Sequence, residues 1–390
     1  MIIDLLLLLL PVAAASGWYA AKRSIDANTH KDNDGFTRPY LVGLNYLLNE
    51  QPDKAVDVFI KMLEVDSEMV ETHLALGTLF RRRGEADRAI RIHQNLIARP
   101  NLSKELRLQA LLALGEDYLK AGVLDRAERV LLEFTEIASG EIAIIGLRHL
   151  LDIYQQEKRW DLAINIANKL LTHGEPYQRN IAHYYCELAL QAKAQSQLEQ
   201  TQRYLKRALE IEQNCTRASL LQGDIETASG RYKTALQAYQ HAVQQDPDYL
   251  VEIIPAIVNC YERLLDEDEL LRYLTTCLQQ YPRTSLAIVI ATYLQQKEGE
   301  AAAINFLTKH LQQRPSVRGL QKLINLQLNN AKEEIKNDHV ILHDLTTKLL
   351  KNKPTYRCEN CGFNSKVLHW LCPGCHSWGR IKPIQGPEGD

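Results

Sequence analysis

The chain has no excess of basic residues. Its 46 Lys and Arg stand against 48 Asp and Glu, a formal net charge of −2. That balance argues against a general nucleic-acid binder. Glycine and proline are scarce, at 19 and 13, which excludes collagen-like and Pro/Gly-rich disordered chains. Val-Thr-Gly alternation is also rare, so an all-β fold is disfavoured. No G-x-x-x-x-G-K-[ST], G-x-S-x-G, H-E-x-x-H or Rossmann glycine pattern occurs, so the sequence offers no recognisable catalytic motif. The acidic run Asp266 to Glu269 reads as a solvated turn. Eight cysteines are too sparse and too unevenly placed for a secreted disulfide framework. What remains is a globular chain of 390 residues, 45% apolar and 24% charged, with room for two or three domains of roughly 150 residues.

The amino terminus holds a long apolar run. Leu5 to Ala21 carries no charge over 17 residues and begins with six leucines, about the minimum for a helix crossing a hydrocarbon core. Pro11 is tolerable in a membrane helix, and Trp18 and Tyr19 fall where an interfacial belt would lie. Lys22 and Arg23 follow directly and place that side in the cytoplasm. A cleaved signal peptide is the competing reading. It requires a basic stretch ahead of the apolar core, and only Asp4 is charged there. The expectation is a single-pass anchor at residues 1–21 and a polar linker at 22–35, with the bulk of the chain cytoplasmic.

From about Arg38 to Pro315, apolar residues recur at i, i+3, i+4 and i+7, with short polar breaks, which reads as helix after helix. A longer period overlies this pattern. Gly43 and Gly77 are 34 apart, as are Ala55 and Ala89, and each glycine precedes its alanine by 12. Gly115 with Ala127, and Gly223 with Ala235, repeat that offset. The pattern resembles the tetratricopeptide repeat, a helix-turn-helix unit of about 34 residues. Small residues allow close helix approach, and aromatics such as Tyr46, Phe59, Tyr118 and Tyr239 fill the gaps. About eight units are expected over 36–315, centred near Ala55, Ala89, Ala127, Ala163, Thr201, Ala235, Leu270 and Ala303, with units four, five and seven lacking the glycine. Such a stack presents a concave groove for peptides or helices. Arg81-Arg82-Arg83 reads either as charge favoured at a helix C-terminus or as a clamp for an acidic peptide. Cys186, Cys215, Cys260 and Cys277 read as small core residues. Further helical pattern covers 316–352, where His339 and His343 read as surface histidines.

Residues 353–390 form the last module. Cys358, Cys361, Cys372 and Cys375 follow the spacing C-x2-C-x10-C-x2-C, with Gly362 after the first pair and Pro373 inside the second. Paired thiolates converge readily on one tetrahedral cation, so these four are the expected metal ligands. His369 and His376 are superfluous beside a complete set of four. The CxxCG and CPxC knuckles resemble rubredoxin, which carries one iron. Ten residues between the pairs is short for a redox rubredoxin, and no flavin or nicotinamide motif supplies electrons. One structural zinc ion is expected, with iron as the alternative. Tyr356, Trp370 and Trp378 either shield the metal or dock the knuckle onto the last repeats.

The order of parts carries a more specific resemblance. An anchor reading LLPVAAASGWY, repeats with FRRRGEADRAIRIHQ and a tail of CxxCGF, WxCPxCxxW and IKPI resemble the lipopolysaccharide assembly protein B family of Gram-negative bacteria, over essentially the whole chain. The resemblance implies an all-α tetratricopeptide solenoid with an N-terminal transmembrane helix and a small C-terminal rubredoxin-like zinc ribbon. It also implies a non-enzymatic inner-membrane regulator of lipopolysaccharide synthesis. Its implied partners are the deacetylase that commits precursor to lipid A, a membrane AAA+ zinc metalloprotease that degrades that deacetylase, and a lipopolysaccharide-sensing inner-membrane antagonist. No nucleic acid is implied. A scaffold that gathers envelope-synthesis enzymes without promoting proteolysis is the alternative reading.

Overall fold

The computed structural model describes residues 70–386 apart from 101, 329–332 and 352, together with 41–43, 45, 46, 49, 51 and 54–59. The expected anchor at 1–21 and linker at 22–35 lie outside the described residues. Among the described residues, no helix is long and apolar enough to cross a membrane.

The small residues of the repeat mark close helix approach. A Cβ on Gly43 would lie 2.7 Å from the Phe59 ring, one on Gly77 2.4 Å from His93, one on Gly115 2.7 Å from Leu131, and one on Gly223 2.4 Å from Tyr239. In every case the partner is sixteen residues downstream. Alanines 55, 89, 127 and 235, twelve downstream of the same glycines, are fully buried. The two positions form one helix-helix contact, in which a side chain from the second helix fills the notch left by the glycine of the first. Any Cβ there would force the helices apart.

Among the described residues, sixteen α-helices run from Val70 to Lys351. The first helix of each pair is termed A and the second B. Pairs α1 (Val70–Arg82) and α2 (Ala86–Ile97), and α3 (Lys104–Lys120) and α4 (Leu124–Ile137), precede α5 (Glu141–Gln156) and α6 (Trp160–Thr172). Next come α7 (Gln178–Ala194) and α8 (Leu198–Ile211), and α9 (Thr216–Ala228) and α10 (Tyr232–Gln245). A short 3-10 turn at Pro247–Tyr249 leads into α11 (Leu250–Leu264) and α12 (Glu267–Gln280). These are followed by α13 (Thr284–Lys297), α14 (Glu300–Gln313), α15 (Val317–Leu328) and α16 (Glu333–Lys351). The chain forms two compact units, meeting at the Glu157–Lys158 link. Thus α5 closes the first unit and α6 opens the second.

Each described A-to-B turn, from α1–α2 to α13–α14, passes through one left-handed residue. Gly84, Gly122, Gly230 and Gly299 take that place where a glycine is present. In the units that lack the helix glycine, Lys158, Ser196 and Leu265 adopt φ of 56°, 60° and 56° instead. At Gly84, Gly122, Ser196, Gly230 and Leu265 the following amide donates back to a carbonyl five residues earlier, at 2.8–3.2 Å. This closes the helix C-terminus and satisfies an otherwise orphaned carbonyl. The degenerate units therefore keep the turn geometry without its preferred residue. Unit four has a glycine after all, displaced along the helix. A Cβ on Gly146 would sit 2.4 Å from Phe134 of the preceding B helix.

The acidic run at 266–269 is an N-terminal cap. Asp266 Oδ1 accepts from the Glu269 amide at 3.3 Å, while Glu267 and Asp268 reach Lys297 of the next repeat. After α16 the chain forms a three-stranded antiparallel sheet with β1 (Tyr356–Cys358) central, between β2 (Asn364–Ser365) and β3 (Ile381–Pro383). Tyr356 pairs with Ser365 on one side and Pro383 on the other.

Candidate metal centre

The four tail cysteines come together at the end of this sheet. Their Sγ atoms all lie within 4.8 Å of one another. Cys358 and Cys375 are 3.7 Å apart, and Cys361 and Cys372 3.6 Å. A tetrahedral ion with metal–sulfur bonds of about 2.3 Å requires sulfur–sulfur edges of about 3.8 Å. A disulfide requires about 2.05 Å. The cluster has the size of an ion cage, and an all-thiolate tetrahedron suits zinc and iron alike.

The two knuckles share one backbone pattern. In the first, the Cys358 amide donates to the Phe363 carbonyl at 2.8 Å and the Gly362 amide donates to the Cys358 carbonyl at 2.9 Å. In the second, Cys372 donates to Ser377 at 3.0 Å and His376 to Cys372 at 2.9 Å. The residue after each second cysteine is left-handed, Gly362 at φ 75° and His376 at φ 54°. The first cysteine of each pair is buried, and the second turns outward. His376 thus serves the backbone turn, and among the described residues the cysteines alone form a metal-sized cluster.

The charge state of the cluster explains why it needs a cation. At Cys375 burial opposes ionisation, but hydrogen bonds from Ser377 and Asn360 prevail and bring the thiol down to about 6. Cys361 receives help from the Phe363 backbone, yet desolvation and three neighbouring thiols push it up to about 12. One thiolate forms readily and opposes the others. A divalent ion held by these four cysteines would remove that opposition and keep all four ionised.

The aromatic residues of the ribbon dock it onto the repeats. Trp378, 3% exposed, stacks on His183 of α7 with centroids 5.0 Å apart and planes at 18°. Trp160 and Tyr184 meet its edges at 6.1 and 5.9 Å. Trp370 lies 4.9 Å from the Tyr249 ring. The Arg217 guanidinium, on α9, stands over both indoles at 5.5 and 5.8 Å and is ion-paired to Glu187 at 2.7 Å. Polar ties complete the seat. Tyr249 Oη donates to the Ile381 carbonyl at 3.1 Å, Tyr356 donates to Glu252, and Lys382 pairs with Asp246 beneath the Tyr249 ring. Gln385 reaches Asp248 at 2.7 Å. The dock therefore lies on the A helices α7, α9 and α11, with the start of α6 and the 3-10 turn at 247–249, further up the stack than the last repeats. Burial, reinforced by the charges of Arg217 and Arg179, drives the His183 pKa well below its ordinary value, so the ring stacks as neutral imidazole.

Other residues singled out from the sequence have plainer roles. Arg81 is tied to the next A helix, 2.6 Å from Glu116, 2.7 Å from Asp117 and 3.1 Å from the Ala113 carbonyl. Arg81 and Arg82 lie in the last turn of α1, as the helix C-terminus reading expects, and Arg81 in addition bridges two repeats. Asp117 also receives buried His93 at 2.5 Å. Cys186, Cys215, Cys260 and Cys277 are buried core residues, as expected, with Cys186 and Cys215 sulfurs 4.0 Å apart. His339 and His343 are partly exposed on α16, and neither belongs to a metal-sized cluster among the described residues. His183, Arg217 and Tyr249 carried no sequence signal. Their importance comes from partners 121 to 195 residues away.

With the geometry in view, the chain can be set beside known proteins. Residues 356–383 match the rubredoxin metal binding domain, and residues 72–105 and 186–249 match tetratricopeptide repeat families. Over 389 residues the chain is 39% identical to lipopolysaccharide assembly protein B of Escherichia coli (strain K12), covering 99% of this chain and 100% of that one. It is 36% identical over 397 residues to the protein of that name from Haemophilus influenzae, covering 99% of each. A match of this extent takes in the repeats and the cysteine tail together, so the chain belongs to the lipopolysaccharide assembly protein B family.

Proposed function

We propose that this chain is a non-enzymatic inner-membrane adaptor that regulates lipopolysaccharide biosynthesis. In this reading it presents the lipid A-committing deacetylase to a membrane AAA+ metalloprotease, and a lipopolysaccharide-sensing inner-membrane protein antagonises it. The observation that carries the reading is the end-to-end relation, at 39% identity, to a protein named for lipopolysaccharide assembly. The helix-pair stack supports it, because such repeats bind partners rather than transform substrates.

The parts have separate tasks. Residues 1–21 anchor the chain in the inner membrane and 22–35 space it from the surface. Residues 36–315 hold partners on the cytoplasmic side. Residues 316–352 extend the stack, and 353–390 form the metal module. Cys358, Cys361, Cys372 and Cys375 hold one ion, zinc in preference to iron, which locks the knuckles and performs no chemistry on a substrate. Anchoring a substrate-binding surface beside a membrane protease raises local substrate concentration without new chemistry.

The test is the half-life of the deacetylase after translation is blocked, in cells depleted of this protein. The adaptor reading expects a clear lengthening, reversed by the full chain but not by one lacking residues 1–21. An unchanged half-life would overturn it and leave the scaffold reading.

A further inference from the structure

Among the described residues, the last helix leaves an apolar stripe without a partner. Of the fourteen exposed large apolar side chains among the described residues, five lie on α16: Val340, Ile341, Leu342, Leu345 and Leu349. His343, Thr346 and Leu350 form the more buried face, and Thr347 accepts from Gln321 of α15 at 2.8 Å. At about 100° per residue, Ile341, Leu342, Leu345 and Leu349 fall within a sector of roughly 100° centred near Leu345, well away from the buried face. These four are 49–60% exposed. Apolar surface gathered this way marks an interaction site.

We infer that this stripe is a self-association surface, on which a second copy of the chain packs its own α16 antiparallel about a two-fold axis beside Leu345. The stripe is self-complementary in that register. Leu345 meets the partner's Leu345, and Ile341 meets the partner's Leu349, with the reciprocal contact repeated across the axis, as a two-fold interface requires. The charges select the same arrangement. Asp344 and Lys348, both exposed, stand on one edge of the stripe. Antiparallel pairing sets Asp344 beside the partner's Lys348 and Lys348 beside the partner's Asp344. Parallel two-fold pairing would turn that edge towards the partner's opposite edge, so Asp344 would not meet Lys348. A lipid surface would call for a basic rim, and here Asp344 stands in the rim and Asp338 lies in line with the stripe itself.

The test uses the full chain in detergent, with mass followed over a concentration series by sedimentation velocity. The wild type is expected to pass from one-copy to two-copy mass. Leu345→Glu places two carboxylates on the axis and is expected to weaken association by about tenfold or more. Leu345 is half exposed, so that variant keeps its helix content and metal, and both are measured alongside. Asp344→Lys and Lys348→Asp are each expected to weaken self-association by about three- to tenfold, because each gives one edge a single sign of charge. Mixed together, the two variants are expected to recover the two-copy mass, since one chain then carries only lysines at these positions and the other only aspartates. A one-copy mass at every concentration would overturn the inference. So would a two-copy mass that ignores Leu345→Glu, or a mixture that pairs no better than its components.

Discussion

The two units use one repeat grammar and complete it differently. In the first, one pair junction is polar: His93 stands where other repeats place Phe59, Leu131 or Tyr239, and Asp117 stands where they place Leu79 or Ile225. The apolar contact is replaced by His93, Asp117 and Arg81, with Glu116 on the surface held below the usual carboxylate pKa first by a hydrogen bond from His149 and then by Arg81. In the second, Tyr239 fills the notch at Gly223, and polar work is concentrated at the ribbon's seat, where Arg217 of α9, Glu252 of α11 and Asp246, just after α10, receive it. The first unit is stitched between neighbours. The second is braced from outside by a module that bridges three A helices.

Removing the metal should separate the two most sharply. Structural zinc sites carry apparent binding energies on the order of 10–16 kcal/mol, and the ribbon has little other core. A chelator, or Cys372→Ser, should abolish amide protection over 356–383 and lower it in α7, α9 and α11, leaving α1–α5 protected. Equal loss in α1–α5 would mean that the bracing is not confined to the second unit. Next in size is Trp378→Ala, expected to cost about 3–5 kcal/mol as a buried aromatic truncated to alanine. It should release the ribbon from α7 with its metal retained, read by metal content beside hydrogen exchange. Loss of metal with the indole would merge docking and binding into one event.

Asp117→Ala probes the other unit. It leaves Arg81 and His93 facing a buried gap, at about 3 kcal/mol, and the melting loss should fall within α1–α5. Much of this contrast was legible in advance. The glycine with its alanine twelve residues on marked the register, and the cysteine spacing marked the cage. Lys158, Ser196 and Leu265 were not legible, because a left-handed turn held by a non-glycine residue leaves no compositional trace. The dock was not legible either, since Tyr249 and Ile381 lie 132 positions apart and nothing local to either foretells it.

Acidification tests the dock without mutation. His183 has a folded pKa below its unfolded value of about 6.5, so the unfolded state takes up the proton first. Stability is therefore retained above that pH and lost as pH falls below it. The melting temperature of the second unit should drop between pH 7 and 5.5, less steeply in His183→Phe at equal metal content. Identical slopes would remove His183 from the account. The smallest effect is expected from Leu265→Gly. A left-handed leucine costs roughly 1 kcal/mol, and this one is 88% exposed, so glycine should raise stability by up to about 1 kcal/mol. A fall instead would show that the Leu265 side chain contributes through contacts of its own.

The bridging ribbon also orders events in time. A plain repeat array can fold from its first units while the rest is still being made. The first unit has that freedom, because its ties join neighbouring helices. The second does not, since Trp378 and Ile381 must reach His183 and Tyr249, and they are synthesised well over a hundred residues later. Helices α7 to α11 therefore wait with an uncovered aromatic seat until the ribbon has been made and folded. A metal ion held by the four cysteines would then make metal supply the step that times maturation of the second unit.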